Sequence, residues 1–309
     1  MRSSPLRHLR GAFTITVLAL NVVFWFVPIV VVAFAKLLIP AAGWRDMMSR
    51  WLSALGENWI SCNGLILAAT QSISWDVEGN LGLQRRGWYL VVSNHQSWVD
   101  ILVLQKVFNR RIPFLKFFIK QQLIWVPFLG LAWWAMDMPF MRRYSREYLA
   151  KHPEMRGKDL EATRKACEKF ERIPTSIINF VEGTRVTPAK QIERSSPYRY
   201  LLPPRAGGVA FVLSAMGDSL HDLLDVTIVY PQGAPSMWDL CCGSVRRIVV
   251  RIDRQPIESW LSDGDYQNDE QFRLRFQQWL SEIWSRKDQQ ICEVLADAQT
   301  TAQTPGHLQ

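Results

Sequence analysis

The sequence predicts an α/β fold: one domain with a mixed sheet flanked by helices, preceded by an N-terminal helical segment suited to a membrane. Two observations carry this. From Gly11 to Ala35 the chain has no charged residue, a length that would span a bilayer as a helix. After Ser72 the apolar spacing changes period, and short runs rich in Val, Ile and aromatics then alternate with helical patterns. The expected divisions are a membrane anchor with an amphipathic helix over 1–70, the α/β domain over 71–299 and a flexible tail over 300–309. At 309 residues and 48% hydrophobic, the chain has ample material for a core.

Arg2, Arg7 and Arg10 precede the apolar run, and Lys36, Arg45 and Arg50 follow it. The positive-inside rule therefore sets no direction, and both ends are expected on the same, cytoplasmic face (the inner membrane in a bacterium). Pro28 removes a backbone donor near the middle, which favours a bent or re-entrant anchor over a plain single span. Ala33-Phe34-Ala35 resembles a signal-peptide cleavage site, but the apolar run continues to Ile39 and is too long for such a segment. Met47, Met48, Trp51, Leu52, Leu55 and Trp59 then recur at helical spacing.

Ile73, Trp75 and Val77 alternate with polar residues as a half-buried strand, and Trp88 to Ser93 reads as a more buried one. Trp98 to Val107 reads as a helix, Ile112 to Phe118 as a strand, and Met136 to Met141 as extended chain. Between the last two, Leu123 to Ala135 is apolar and interrupted by Pro127 and Gly130. Asp159 to Phe170 has amphipathic helical spacing, and Ser176 to Val181 is a strand. Val186 to Pro204, polar and proline-bearing, is expected as a long loop. A helix over Gly207 to Met216, strands over Asp225 to Tyr230 and Val245 to Ile252, and a long C-terminal helix with Phe272, Phe276, Trp279, Leu280, Ile283 and Ile291 on one face complete the chain.

A formal charge of +8 calls for an anionic partner: a nucleic acid, an anionic membrane surface or a phosphorylated substrate. No zinc-finger, RRM-like or helix-turn-helix pattern accompanies the charge, which argues against nucleic acid. Fourteen Trp and fifteen Phe suit a membrane interface. The five cysteines form no CxxC and read as reduced, packed thiols, and no His pair has metal-ligand spacing, so no metal is expected.

Two strand ends carry chemistry. His95 follows the strand ending at Ser93, and Asp100 lies five positions later in the first turn of the next helix, able to fold back to the imidazole. A His whose second nitrogen is fixed by a carboxylate can take a proton from a hydroxyl near neutral pH. The same spacing also suits a loop His beside an Asp that favours the helix dipole. No GxSxG elbow or placed cysteine supplies a protein nucleophile, so an activated hydroxyl would be the substrate's own. The second strand end is Glu182-Gly183-Thr184-Arg185: a tight turn, a hydroxyl, and a guanidinium fork suited to phosphate, with Glu182 either holding the Arg or binding a hydroxyl. An ordinary turn with a surface ion pair would look the same.

Asn94 to Asp100 (NHxxxxD) and Glu182 to Arg185 (EGTR), in this order and separation, resemble two signature blocks of the PlsC-type 1-acylglycerol-3-phosphate (glycerolipid) acyltransferases. Lys120 to Gly130 resembles that family's K-x-x-L-x-x-x-P-x-x-G block, Met138-Pro139-Phe140-Met141-Arg142 its I-P-x-x-R block with Met for Ile, and Val226 to Pro231 its strand ending in Pro. The wording NHQSW, KQQLIWVPFLG, DMPFMRRYSR and LLPPRAGG is closer still to the YihG-type bacterial branch, itself similar to eukaryotic lysocardiolipin and lysophosphatidylinositol acyltransferases.

The resemblance implies a glycerolipid-acyltransferase-like domain that needs no cofactor. His95 would be the general base and Asp100 its orienting carboxylate. Glu182, Gly183, Thr184 and Arg185 would bind the acceptor's glycerol phosphate, with Lys120, Arg142 and Arg205 adding positive charge. The partners implied are the phospholipid bilayer, a lysophospholipid acceptor and a thioester donor, acyl-CoA or acyl carrier protein. The acceptor is most simply 1-acylglycerol-3-phosphate, giving phosphatidic acid. The alternatives are a lysophospholipid of different head group, or a membrane-tethered lipid-binding protein without turnover. Trp125, Trp133 and Trp134 would either line an acyl tunnel or pack in the core.

Overall fold

The structure is a computed structural model and describes residues 5–79, 82–141, 170, 172–217 and 219–303. Two long helices lead: α1 (Pro5–Leu38) and α2 (Ala42–Thr70). Only three residues separate them, so they turn back on one another and pack as a hairpin. Pro28 lies inside α1 without ending it; a proline withholds a single N–H, and the helix continues on either side. The amphipathic stripe expected from Met47 to Trp59 belongs to a helix of 29 residues, longer than its apolar spacing indicated.

The domain then runs β1 (Ser74–Glu78), β2 (Tyr89–Ser93), α3 (Val99–Phe108), β3 (Leu115–Phe117), β4 (Ile119–Lys120), α4 (Leu129–Ala135) and β5 (Phe140–Met141). After the residues outside the description come β6 (Ser176–Phe180), α5 (Pro188–Glu193), α6 (Ala206–Met216), β7 (Asp222–Val229), α7 (Met237–Cys241), β8 (Arg247–Pro256) and α8 (Glu270–Gln303). The helix expected over Asp159 to Phe170 lies outside the described residues but for its last position. Four expectations shift. The strand from Ile112 contracts to β3, and extended chain after Met136 contracts to β5. The loop after Val186 contains α5, begun by Thr187, whose hydroxyl accepts the Lys190 N–H, and by Pro188 in the first turn. The last helix continues past Thr300 to Gln303.

The main sheet has the order β1-β8-β7-β2-β6-β3, parallel throughout except for the antiparallel β7–β8 pair. Every residue of β2 is buried, as a central strand covered on both faces must be. Its side chains divide by the period of two. Leu90 and Val92 join a core with α6 and α8, while Tyr89 and Val91 join one with α3. A third core links α1, α2 and α4 through Ile29, Leu52, Trp59, Ile60, Ala132 and Met136. Each fully buried aliphatic side chain contributes roughly 1.5–3 kcal/mol.

Candidate active site

β2 and β6 are parallel neighbours paired Ser93 to Phe180, so the residues that follow them, His95 and Glu182 to Arg185, emerge at the same sheet edge. The backbone N–H of Val186 donates to the His95 carbonyl at 2.8 Å and ties the two segments together. Ligands of open α/β sheets bind outside this carboxyl edge.

His95 Nδ1 lies 2.8 Å from Asp100 Oδ2. That oxygen also accepts the backbone N–H groups of Gln96 at 2.7 Å and Ser97 at 2.8 Å. The other oxygen, Oδ1, accepts the Tyr230 hydroxyl at 2.6 Å. Asp100 is fully buried, so its carboxylate is out of water in all of these bonds. Burial, then the charge of Asp100, pushes the Tyr230 phenol well above its ordinary range and keeps it a donor. Below the pair, Asn94 clamps β7: its amide donates to the Ile228 carbonyl and its oxygen accepts the Ile228 N–H, both at 2.9 Å. Phe180 stacks on the imidazole with ring centres 4.0 Å apart and planes 17° from parallel. With Nδ1 committed to Asp100, Nε2 is the nitrogen left for a substrate.

The EGTR turn is built differently from what its letters suggested. Gly183 has φ 69°, the left-handed conformation that favours glycine. Glu182 is fully buried and makes no ion pair with Arg185 or any other described residue, so it neither steadies that Arg nor meets solvent. Burial, and next the charge of Asp100, pushes its carboxyl up to about 8; nearby amides of His95 and Leu202 and the Lys287 ammonium offset part of this. Thr184 accepts from Lys190 Nζ at 2.8 Å, the same ammonium bonds the Arg185 carbonyl at 3.0 Å, and Arg194 donates to the Glu182 carbonyl at 3.1 Å. Arg185 itself is exposed, its guanidinium carbon 5.1 Å from the centre of the Trp98 ring.

The other cations are less tightly gathered. Arg205 stands exposed before α6, its N–H bonded to the Val181 carbonyl beside the turn. Lys120 is exposed at the end of β4 and pairs in register with Met141. Arg142 lies outside the described residues. Gly130 is required by packing: a Cβ there would lie 1.9 Å from the Ile124 carbonyl oxygen. Trp125 is 85% exposed and so lies outside the core, whereas Trp133 packs against the third core.

Four residues that shape the site had no role from sequence: Tyr230, Lys190, Arg194 and Lys287. Only Tyr230 carried a signal, as the last polar group of a buried strand. Lys287, on α8, is fully buried. Its ammonium donates to the Val226 carbonyl at 2.7 Å and the Thr227 hydroxyl at 3.1 Å, and lies 2.5 Å from Asp225 Oδ1, close though not well aligned. Burial pulls this ammonium below its ordinary range, and Asp225 pulls it back.

Residues 74–231, just over half of the chain and the span that holds every residue of this site except Lys287, match the model of the family described as Acyltransferase. The chain belongs to the Acyltransferase family. Among curated proteins, this acyltransferase is 22% identical over 229 residues to an uncharacterized acyltransferase of Schizosaccharomyces pombe, covering 67% of this chain and 59% of that protein. It is 24% identical over 210 residues to 1-acyl-sn-glycerol-3-phosphate acyltransferase gamma of Mus musculus, covering 64% and 51%. The acyltransferase thus spans about half to three-fifths of the length of these relatives. Its fold is that of the crystal structure of the 1-acyl-sn-glycerophosphate acyltransferase PlsC from Thermotoga maritima, with a TM-score of 0.52, 17% identity and coverage of 93% of this chain and 96% of that one.

Proposed function

We propose that this protein is a membrane-bound enzyme that transfers a fatty acyl group from acyl-CoA or acyl carrier protein to the free hydroxyl of a lysophospholipid, most simply 1-acylglycerol-3-phosphate. The observation that carries the reading is the His95–Asp100 pair, buried on the Asp side and stacked on Phe180 at a sheet edge. His95 Nε2 takes the proton of the acceptor hydroxyl as its oxygen attacks the thioester carbonyl carbon. Asp100 stabilises the imidazolium and holds the tautomer. When the C–S bond breaks, the imidazolium proton neutralises the departing thiolate, leaving an ester and a free thiol without an acyl-enzyme. Arg185 meets the acceptor phosphate, with Arg205, Lys120 and Arg142 adding positive field. The wording of the motif blocks favours the YihG-type branch of the family.

Membrane attachment belongs to α1, a helix long and apolar enough to cross a bilayer. Phe13, Leu20, Phe24, Val27, Val31 and Phe34 are all exposed along it. Both ends are tied to the domain: Arg7 donates to Ser244 at 2.6 Å, and Lys36 meets Asp137 at 2.6 Å. That arrangement favours an anchor held along the domain on one, cytoplasmic, side of the membrane.

The test is acyl transfer by purified protein offered acyl-CoA with lysophosphatidate, or with lysophosphatidylglycerol at equal concentration. Product with lysophosphatidate, and a loss of about 100-fold or more in His95→Ala with folding intact, is the expected outcome. No thioester consumption with any lysophospholipid rejects the reading, and undiminished turnover in the variant rejects the base.

A further inference from the structure

Trp98 lies beside this site. It is 48% exposed, as several other tryptophans of the chain are, but its ring face has a charged partner. The partner is Arg185, whose guanidinium lies over the ring face. Its five N–H donors make no hydrogen bond to any described residue. No described carboxylate pairs with Arg185, so its donor edges stay available to an oxyanion.

Both members of the pair are fixed to the frame of His95. Trp98 follows Ser97, whose hydroxyl donates to the Pro235 carbonyl and accepts the Val99 N–H, so the backbone on each side is held. Arg185 is held through its carbonyl by Lys190 and through the next residue by the His95 carbonyl. The remaining freedom of Arg185 lies in its long side chain, and the Trp98 face removes much of it.

We propose that Trp98 is a positioning residue that lays the Arg185 fork flat, with its donor edges facing a phosphate monoester on the same molecule whose hydroxyl His95 deprotonates. The proposal rests on the acyl-transfer reading for its substrate class and adds a residue that favours acceptors with a phosphate monoester over uncharged ones. Without the ring, Arg185 keeps its charge and loses its orientation. The loss falls on acceptor binding and leaves proton transfer at His95 intact.

The experiment compares Trp98→Ala, Trp98→Phe and Arg185→Ala, singly and as the Trp98→Ala/Arg185→Ala pair. Acceptors are short-chain lysophosphatidate, held below its micellar concentration, and the corresponding uncharged monoacylglycerol. A cation–π contact at an exposed site corresponds to about two- to fivefold in affinity. Trp98→Ala should raise KM for lysophosphatidate by that factor with kcat within about twofold, Trp98→Phe should recover most of it, and in the Arg185→Ala background the Trp98 change should have almost no effect. Equal losses in both backgrounds, a fall in kcat with KM unchanged, or the same loss with monoacylglycerol would overturn the proposal. Calorimetric binding of lysophosphatidate to His95→Ala, with and without Trp98→Ala, gives a readout independent of turnover. If the wild type transfers no acyl group, the functional reading fails, while a weaker complex in the double variant still upholds the pairing and an unchanged one still refutes it.

Discussion

The buried carboxylate of Asp100 has four hydrogen-bond partners that divide three tasks among them. Two backbone N–H groups steady the carboxylate, Tyr230 occupies the oxygen turned away from His95, and the imidazole takes what is left. Glu182, close enough for their charges to interact, has weaker support, from the amides of His95 and Leu202 and the Lys287 ammonium. Its carboxyl moves from an ordinary 4.5 up to about 8 chiefly because it is buried. Between those values the unfolded chain has released a proton that the folded chain keeps. Stability therefore falls as pH rises through that window and levels off above it. Glu182→Gln has no proton to release, so its melting temperature relative to wild type should climb from about pH 5 to about pH 9. Parallel melting curves across that range would show that Glu182 ionises as an ordinary carboxylate.

At the scale of elements, β7 carries the site from behind. One face holds Leu224, Val226 and Ile228 against the α3 side, and the other presents Asp225 and Thr227 to Lys287 of α8. Replacing Lys287 by Met leaves Asp225 buried without its cation, and breaking such a pair costs about 3–5 kcal/mol. Urea unfolding should show a loss of that size, with much of it recovered in Asp225→Asn/Lys287→Met, where neither member of the pair carries a charge. This arrangement was hidden in the sequence: Lys287 looks like any solvated position of a polar helix, and only the packing of α8 across β7 brings it inside. His95 with Asp100 was legible because a short-range pair is set by local chain geometry. The EGTR segment was legible as a turn, yet the burial of Glu182 was not, since nothing in four letters tells which side of a turn faces the core. The α5 helix was missed because six residues, with Ile192 the one large apolar side chain among them, are too few to show an apolar period, and its Thr-Pro start was the one available signal.

For the whole molecule, the proposed membrane attachment rests on the exposed apolar side of α1, with the +8 charge adding to it where the lipid surface is anionic. Changing Phe24, Val27 and Val31 to Ser together should move the protein from vesicles to the supernatant in a sedimentation assay while leaving its melting temperature nearly unchanged. These side chains are exposed and add little to the domain's own core. Retention on vesicles would mean that another surface holds the membrane. Added salt should weaken the remaining attachment, as screening of a basic surface requires.

The ties at both ends of α1 have a kinetic consequence. On the proposed anchoring, contacts through Arg7 at one end of α1 and Lys36 at the other hold the domain beside the lipid plane. On the proposed function, an acceptor reaches His95 by lateral diffusion within the leaflet, and the concentration that governs its rate is a mole fraction in two dimensions. Diluting the acceptor with inert lipid should slow such an enzyme even when the total amount of acceptor in the tube stays the same.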